Sequence, residues 1–84
     1  MSNLSKPVTP AELIFILAGS SSQYTDARRK LGLAPAQTSW LTRASNLTGK
    51  VRPKVIRFGD WKSLPNIKEI EAALATTEAE ISDL

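Results

Sequence analysis

The stretch Thr9-Pro10-Ala11-Glu12-Leu13-Ile14-Phe15-Ile16-Leu17-Ala18-Gly19 contains the longest apolar run of the sequence and predicts the first element of the fold. Thr9 is a good N-cap, Pro10 suits the first helical position, and Glu12 completes a capping box. The apolar run could instead form a buried strand, because Ile and Phe favour strands. The capping signature favours a helix over about 10–18 that ends at Gly19. Because this helix has little polar surface, we expect its neighbours or a second subunit to cover it.

Two further helices are predicted downstream of Gly19. Ser20 and Gln23 have capping-box spacing and predict a helix over about 22–31 that ends at Gly32. Pro35 predicts the start of a third helix over about 35–48. Its buried stripe would consist of Trp40, Leu41, Ala44 and Leu47. Two short helices joined by a tight turn predict a helix-turn-helix over residues 22–48.

The following segment changes its hydrophobic period. Residues 54–58 are β-branched and alternating, and Gly59-Asp60 is a two-residue turn signal, so a β-hairpin wing is expected over 50–62. A last helix over 66–81 follows, with its apolar stripe at Ile67, Ile70, Leu74 and Ile81. The predicted fold class is mainly α with a small β-hairpin wing. Residues 1–8 would be a flexible leader, and 9–84 a single winged helix-turn-helix domain.

Composition restricts the classes of function. The chain has 84 residues, of which 42% are apolar and 23% charged, as expected for one small globular domain. No apolar run approaches the roughly 20 residues that cross a bilayer, so no membrane association is expected. The sequence has no Cys and no His, which removes the usual nucleophiles, general bases and transition-metal ligands. We therefore expect a cytoplasmic binding module without metal or cofactor, and not an enzyme.

Charge is distributed unevenly along the chain. The net charge is +3, but residues 28–62 hold nine Lys and Arg against one acid, and residues 63–84 hold five acids against one Lys. A basic middle segment predicts a surface that binds a polyanion, most commonly nucleic acid. The alternative is an ordinary solvated basic face that an acidic tail offsets.

The predicted helix-turn-helix suggests which residues contact double-stranded DNA. The second helix of such a motif enters the major groove, where Gln pairs with adenine, Arg with guanine, and Thr with several base edges. The predicted base contacts are Gln37, Thr38, Thr42 and Arg43. Long cations on the preceding helix and the wing would reach phosphates, although wing cations also protect a solvated edge from aggregation. The predicted phosphate contacts are Arg28, Arg29, Lys30, Lys50, Arg52, Lys54, Arg57 and Lys62.

Two other kinds of partner remain open. The apolar helices 10–18 and 67–81 could support a homodimer or a protein partner, as in a small inhibitor or corepressor. The aromatic residues could stack on single-stranded nucleic acid, including RNA, if they are exposed. They are Tyr24, Trp40, Phe58 and Trp61, and most of them fall at positions typical of a core.

Three segments in order are similar to a known family. They are Leu31-Gly32-Leu33, the stretch from Gly49 to Gly59, and the stretch from Ile67 to Leu74, with Trp40-Leu41 between the first two. The chain resembles the small winged helix-turn-helix proteins of phages and mobile elements. That group includes the excisionase and AlpA-like proteins, related to the DNA-binding domain of mercury-resistance regulators. The resemblance implies a sequence-specific DNA-binding protein that acts as a transcriptional regulator or excision factor.

Overall fold

A computed structural model describes residues 13–84 of the chain. In these residues the order is β1 (Ile14–Ala18), α1 (Ser21–Leu31), β2 (Thr38–Trp40), β3 (Lys54–Phe58), α2 (Ile67–Thr76) and β4 (Glu80–Asp83). Short 3-10 turns occupy Pro35–Gln37, Ala44–Leu47 and Trp61–Ser63. The predicted leader 1–8 and the capping residues of the first predicted helix lie outside the described part.

The four strands form one parallel sheet in the order β2-β1-β3-β4. Ile16 of β1 pairs with Trp40 on one side and Ile56 on the other, and Ile56 in turn pairs with Ser82 of β4. The fold is therefore α/β, and the expected mainly α winged helix-turn-helix is wrong. Each helix connects two parallel strands, because a parallel pair needs a crossover rather than a hairpin.

The apolar run is strand β1, and the predicted helix over 10–18 is wrong for its described part. Phe15 and Leu17 point to one face of the sheet, Ile16 and Ala18 pack on the other, and all four are at most 3% exposed. A central strand of a parallel sheet is buried on both faces, so it has no polar alternation. Continuous apolar character, and not a 3.6-residue period, was therefore the informative pattern.

The helix predicted over 22–31 is present as α1. Ser20 is its N-cap and accepts a hydrogen bond from the backbone N–H of Gln23, while Gly32 ends it in the left-handed region at φ 68°. The helix predicted over 35–48 is wrong. This segment instead forms a 3-10 turn, the strand β2 and a second 3-10 turn. Pairing of Thr38–Trp40 with β1 satisfies backbone groups that a helix would have satisfied locally.

The wing predicted over 50–62 is wrong as well. Its strand is β3, which lies beside β1 in the middle of the sheet. After Gly59 the chain continues into the 3-10 turn Trp61–Ser63 and α2, without a return strand. The helix predicted over 66–81 ends at Thr76, and Ile81 belongs to β4. Glu78, in the left-handed region at φ 55°, makes the reversal from α2 to β4.

The parallel arrangement creates two different edges, and the helices pack on opposite faces. α1 packs on Ile16 and Ala18 through Ala27, whereas Ile70 and Leu74 of α2 belong to the larger core. We call the edge where strands begin the amino edge; α1 and α2 end there because they run back across the sheet. The opposite edge, where the strands end and both helices begin, is the carboxyl edge.

Candidate functional site

The four predicted base contacts do not form one surface. Gln37 precedes β2 at the amino edge, whereas Thr42 and Arg43 follow the same strand at the carboxyl edge. The Thr38 side chain is buried, and its hydroxyl shares a 2.7 Å hydrogen bond with that of Tyr24. Residues at opposite ends of a strand cannot read adjacent base edges as one recognition helix would. The recognition helix that was expected to carry these contacts does not form in this fold, and contact of the four residues with DNA stays a prediction.

All four predicted base contacts make local hydrogen bonds, and that of Thr38 runs from its hydroxyl to the Pro35 carbonyl at 3.4 Å. Gln37 Oε1 accepts the backbone N–H of Ala34 at 2.7 Å. Asn46 Oδ1 accepts the backbone N–H groups of Thr42 and Arg43 at 3.0 and 3.2 Å, respectively. These bonds stabilise the turns on either side of β2. The Gln37 side chain and the Thr42 hydroxyl, which donates to Asn46 Oδ1 at 3.3 Å, therefore have a structural role in these turns.

Acidic residues of the C-terminal segment lie beside several cations of the predicted wing. Arg52 Nε is 3.7 Å from Glu78 Oε1, and Arg57 makes two bonds with Asp83, at 2.6 and 2.8 Å. Lys54 is opposite Glu80 in the register of β3 and β4. The charge asymmetry along the sequence is thus partly cancelled in space, because the basic strand β3 pairs with the acidic strand β4.

The pair of Arg57 and Asp83 is the strongest of these contacts. The hydrogen bond from Arg57 lowers the pKa of the Asp83 carboxyl below its ordinary value, and Asp83 raises the pKa of Arg57. The Arg57 guanidinium also lies 4.6 Å from the ring centroid of Trp61, and the Lys62 ammonium lies 5.6 Å from it. Both predicted phosphate contacts at the carboxyl edge therefore already interact with described side chains.

The crevice between the ends of β1 and β3 is filled by Gln23. This crevice is the switch point of the sheet, since the first crossover leads from β1 to one side and the second leads from β3 to the other. Ligands of open parallel sheets usually bind at such a point. Here Gln23 Oε1 accepts the backbone N–H groups of Gly19 and Asp60 at 2.9 and 3.0 Å, and Gln23 Nε2 donates to Asp60 Oδ2 at 3.1 Å.

The glycines of the crevice fit this arrangement. A Cβ on Gly19 would lie 2.8 Å from the backbone oxygen of Asp60, and one on Gly59 would collide with the Gln23 amide. Glycines often allow the backbone to approach a ligand closely. Here they allow other parts of the protein to approach the backbone closely instead. We call this crevice the structural joint, because Gln23 bonds there to Gly19 after β1 and to Asp60 after β3.

The amino edge has a different character, because most of the predicted phosphate contacts collect there. Arg29 and Lys30 lie in the last turn of α1, and Lys50 lies in the loop before β3. All three are exposed, and their side chains make no hydrogen bond or ion pair with any residue of 13–84. Arg28 lies beside them and donates to the Leu33 carbonyl at 3.1 Å. The six cations at this edge are Arg28, Arg29, Lys30, Lys50, Arg52 and Lys54.

The opposing acids at the amino edge are Glu78 and Glu80, so cations predominate there. Arg43, Lys62 and Lys68 are separated from this group by the length of the strands and lie at the carboxyl edge. The structure therefore divides the basic residues, which are continuous in sequence, into two sets. The larger set, at the amino edge, contains the candidate binding residues.

The aromatic side chains contribute mainly to packing. The rings of Tyr24 and Trp40 stack with centroids 6.3 Å apart, and Trp61 is 9% exposed within the larger core. Phe58 packs against the core on the α1 side. This arrangement does not provide the exposed stacking platform that single-strand binding would need.

Sequence reasoning missed the role of Gln23 and the exposure of Val51. Gln23 was correctly placed in the first turn of a helix, but its contact with Asp60 joins two segments that are distant in sequence. Val51 is 84% exposed, and its position between Lys50 and Arg52 was the available signal for a projecting loop.

The described residues contain no group of three His, Cys, Asp or Glu that could hold a metal ion. Over the same range, none of the helices has the length and apolarity needed to cross a membrane.

Comparison with known proteins gives no match to a protein family, to a curated protein or to a solved structure. The resemblance to excisionase and AlpA-like proteins stays a prediction, whereas the winged helix-turn-helix fold that it implied is wrong.

Proposed function

We propose that this chain is a small nucleic-acid-binding module that holds the phosphates of double-stranded DNA at the amino edge of its sheet. The observation that carries this proposal is the group Arg29, Lys30 and Lys50, exposed at one edge without partners among the described side chains. Cations in this state can exchange water for phosphate without first breaking an ion pair. Binding of this kind positions a protein on DNA without reading its sequence.

The two sets of basic residues allow a charge-matched experiment. One variant replaces Arg29, Lys30 and Lys50 with Ala, and the control replaces Arg43, Lys62 and Lys68. Both variants remove three positive charges, so their net charges are equal. We expect the first to weaken binding to random duplex DNA and to lower the slope of log K against log salt by up to about three units. The control should retain most of the wild-type slope.

The measurement is a salt series followed by fluorescence anisotropy of a labelled duplex. Equal losses of duplex affinity in the two variants would show that binding depends on net charge alone and would contradict an interface at the amino edge. No retention of duplex by the wild-type protein at low salt would remove the proposed function. A regulatory or excision role, and a cytoplasmic location, are finer predictions that depend on this result.

A protein-binding role is the second candidate, and strand β4 is the observation that favours it. β4 is an edge strand whose four residues are all exposed, and Ile81 and Leu84 leave 41% and 49% of their surface open. An extended partner segment can add to such an edge. The surfaces first expected to hold a partner are less suitable, since β1 and the Ile70–Leu74 stripe of α2 lie in the core. Formation of a stable complex with a protein, without DNA binding, would favour this candidate.

A further inference from the structure

The loop 49–53 presents an apolar side chain between two cations at the amino edge. Val51 is 84% exposed, more than any other large apolar residue of 13–84, and Lys50 and Arg52 on either side of it are exposed. A single exposed apolar residue is ordinary on a protein surface. Its position matters here, because it projects from the edge that holds the free cations.

The loop is held in place by its backbone. Lys50 N–H donates to the Leu47 carbonyl at 3.0 Å, and Arg52 N–H donates to the Thr77 carbonyl at 2.9 Å. Pro53 is buried, and its carbonyl accepts the N–H of Glu80 at 2.8 Å. Arg52 lies in the left-handed region at φ 50°, a conformation that persists when surrounding contacts enforce it. A loop fixed in this way loses little conformational entropy when it binds.

We propose that loop 49–53 enters the minor groove of duplex DNA, with Val51 as an apolar wedge and Lys50 and Arg52 at the groove walls. This inference rests on the proposed function and adds the groove and the element that enters it. The major groove, about 12 Å wide, accepts a helix or a two-stranded ribbon, whereas the minor groove is about 6 Å wide. Loop 49–53 is a single short loop at the amino edge, which suits the smaller groove.

The chemistry of the loop agrees with this assignment. Proteins that bind the minor groove combine Arg or Lys with an apolar side chain inserted at a base step. Beside Val51 is a shallow cavity of about 160 Å³, with Leu13 and Phe15 in its wall. Arg52 would exchange its exposed contact with Glu78, 3.7 Å in length, for a contact with DNA. Narrow A·T-rich segments, which attract cations most strongly, are the expected preference.

The test uses the full chain with Val51→Ala, and Leu84→Ala as an exposed apolar control at the carboxyl edge. Affinity is measured by anisotropy with a labelled A·T-rich duplex at low salt. Loss of two methyl groups from a buried contact should weaken binding of Val51→Ala about tenfold. Leu84→Ala and the conservative Val51→Ile should bind as the wild type does. Netropsin bound beforehand in the minor groove should compete with the wild-type protein.

Circular dichroism and the melting temperature should be unchanged in Val51→Ala, because the side chain is exposed. Wild-type affinity of this variant, or binding that netropsin does not affect, would overturn the wedge and leave the proposed function intact. A wild-type protein that binds no duplex would overturn both. Binding to phosphatidylserine vesicles that Val51→Ala abolishes, with no binding to duplex, would overturn DNA as the partner of this loop.

Discussion

The two edges of the sheet use their polar side chains in opposite ways. At the carboxyl edge, Gln23 fills the crevice where a ligand would ordinarily enter, and Arg57 is bound to Asp83. At the amino edge, the side chains of Arg29, Lys30 and Lys50 have no partner among residues 13–84. At the carboxyl edge, the position where a parallel sheet usually binds its ligand is instead occupied by hydrogen bonds within the protein. Cations predominate at the amino edge, which holds six of them, although Arg43 and Lys68 are also exposed at the carboxyl edge.

The largest loss of stability is expected from a substitution that adds a Cβ within the structural joint. Gly19→Ala would place a Cβ 2.8 Å from the backbone oxygen of Asp60, and backbone cannot rotate away as a side chain can. We expect a loss of about 1–3 kcal/mol in the free energy of unfolding, as for other overpacked sites. Urea denaturation followed by Trp fluorescence measures it.

The matched control for this prediction is Gly32→Ala. Gly32 has open space around its would-be Cβ but lies at φ 68°, so its substitution isolates the cost of a left-handed backbone. That cost is about 1–2 kcal/mol. If Gly19→Ala is as stable in urea as the wild type, this contradicts the close packing of Gly19 against the backbone of Asp60.

A smaller effect is expected from removing the amide that fills the crevice. Gln23→Ala deletes two acceptor contacts and one donor contact, and it leaves the Gly19 and Asp60 N–H groups to water. Because this site is partly exposed, we expect a loss of about 1–2 kcal/mol. Gln37→Ala is the corresponding change near the amino edge. It removes the hydrogen bond from the Ala34 N–H to Gln37 Oε1 and should cost about 0.5–1 kcal/mol.

Thermal and urea denaturation of Gln23→Ala and Gln37→Ala side by side provide the comparison. Equal losses would mean that the crevice contributes no more to stability than an ordinary turn does. Duplex binding should be unchanged in Gln23→Ala, because its side chain lies at the edge opposite the proposed interface.

The smallest effect concerns the acids that lie next to each set of cations. Glu78→Gln removes an acid beside Arg52 at the amino edge, and Asp83→Asn removes one beside Arg57 at the carboxyl edge. The first should raise duplex affinity about two- to fivefold, in line with the energy of an exposed ion pair. The second should raise it less, because Asp83 lies three residues beyond Glu80 along β4, about 10 Å from the amino edge, and a Debye length of about 10 Å at 0.1 M salt weakens its effect there.

Anisotropy titrations of both variants at the same ionic strength test this prediction. The net charge changes equally in the two proteins, so any difference reports position. A greater gain in Asp83→Asn than in Glu78→Gln would place the interface at the carboxyl edge and reverse the comparison of the two edges.

The sequence alone determined the elements whose signals are local. Ser20, Gln23 and Gly32 mark the limits of α1 because capping bonds join residues three or four positions apart. The apolar stripe of Ile67, Ile70 and Leu74 located α2 for the same reason. The unequal distribution of charge was also evident from residue counts.

Only the tertiary structure decided that the apolar run is a strand and that the cations of the basic segment are divided between the two edges of the sheet. Ile16 has its partners at Trp40 and Ile56, and a parallel sheet forms through such distant pairs and not through turn signals. The same pairing brings Arg57 to Asp83 and Lys54 opposite Glu80. Local periodicity carries no information about which strands will be neighbours. The cations that stay available to a partner were therefore set by packing between distant segments.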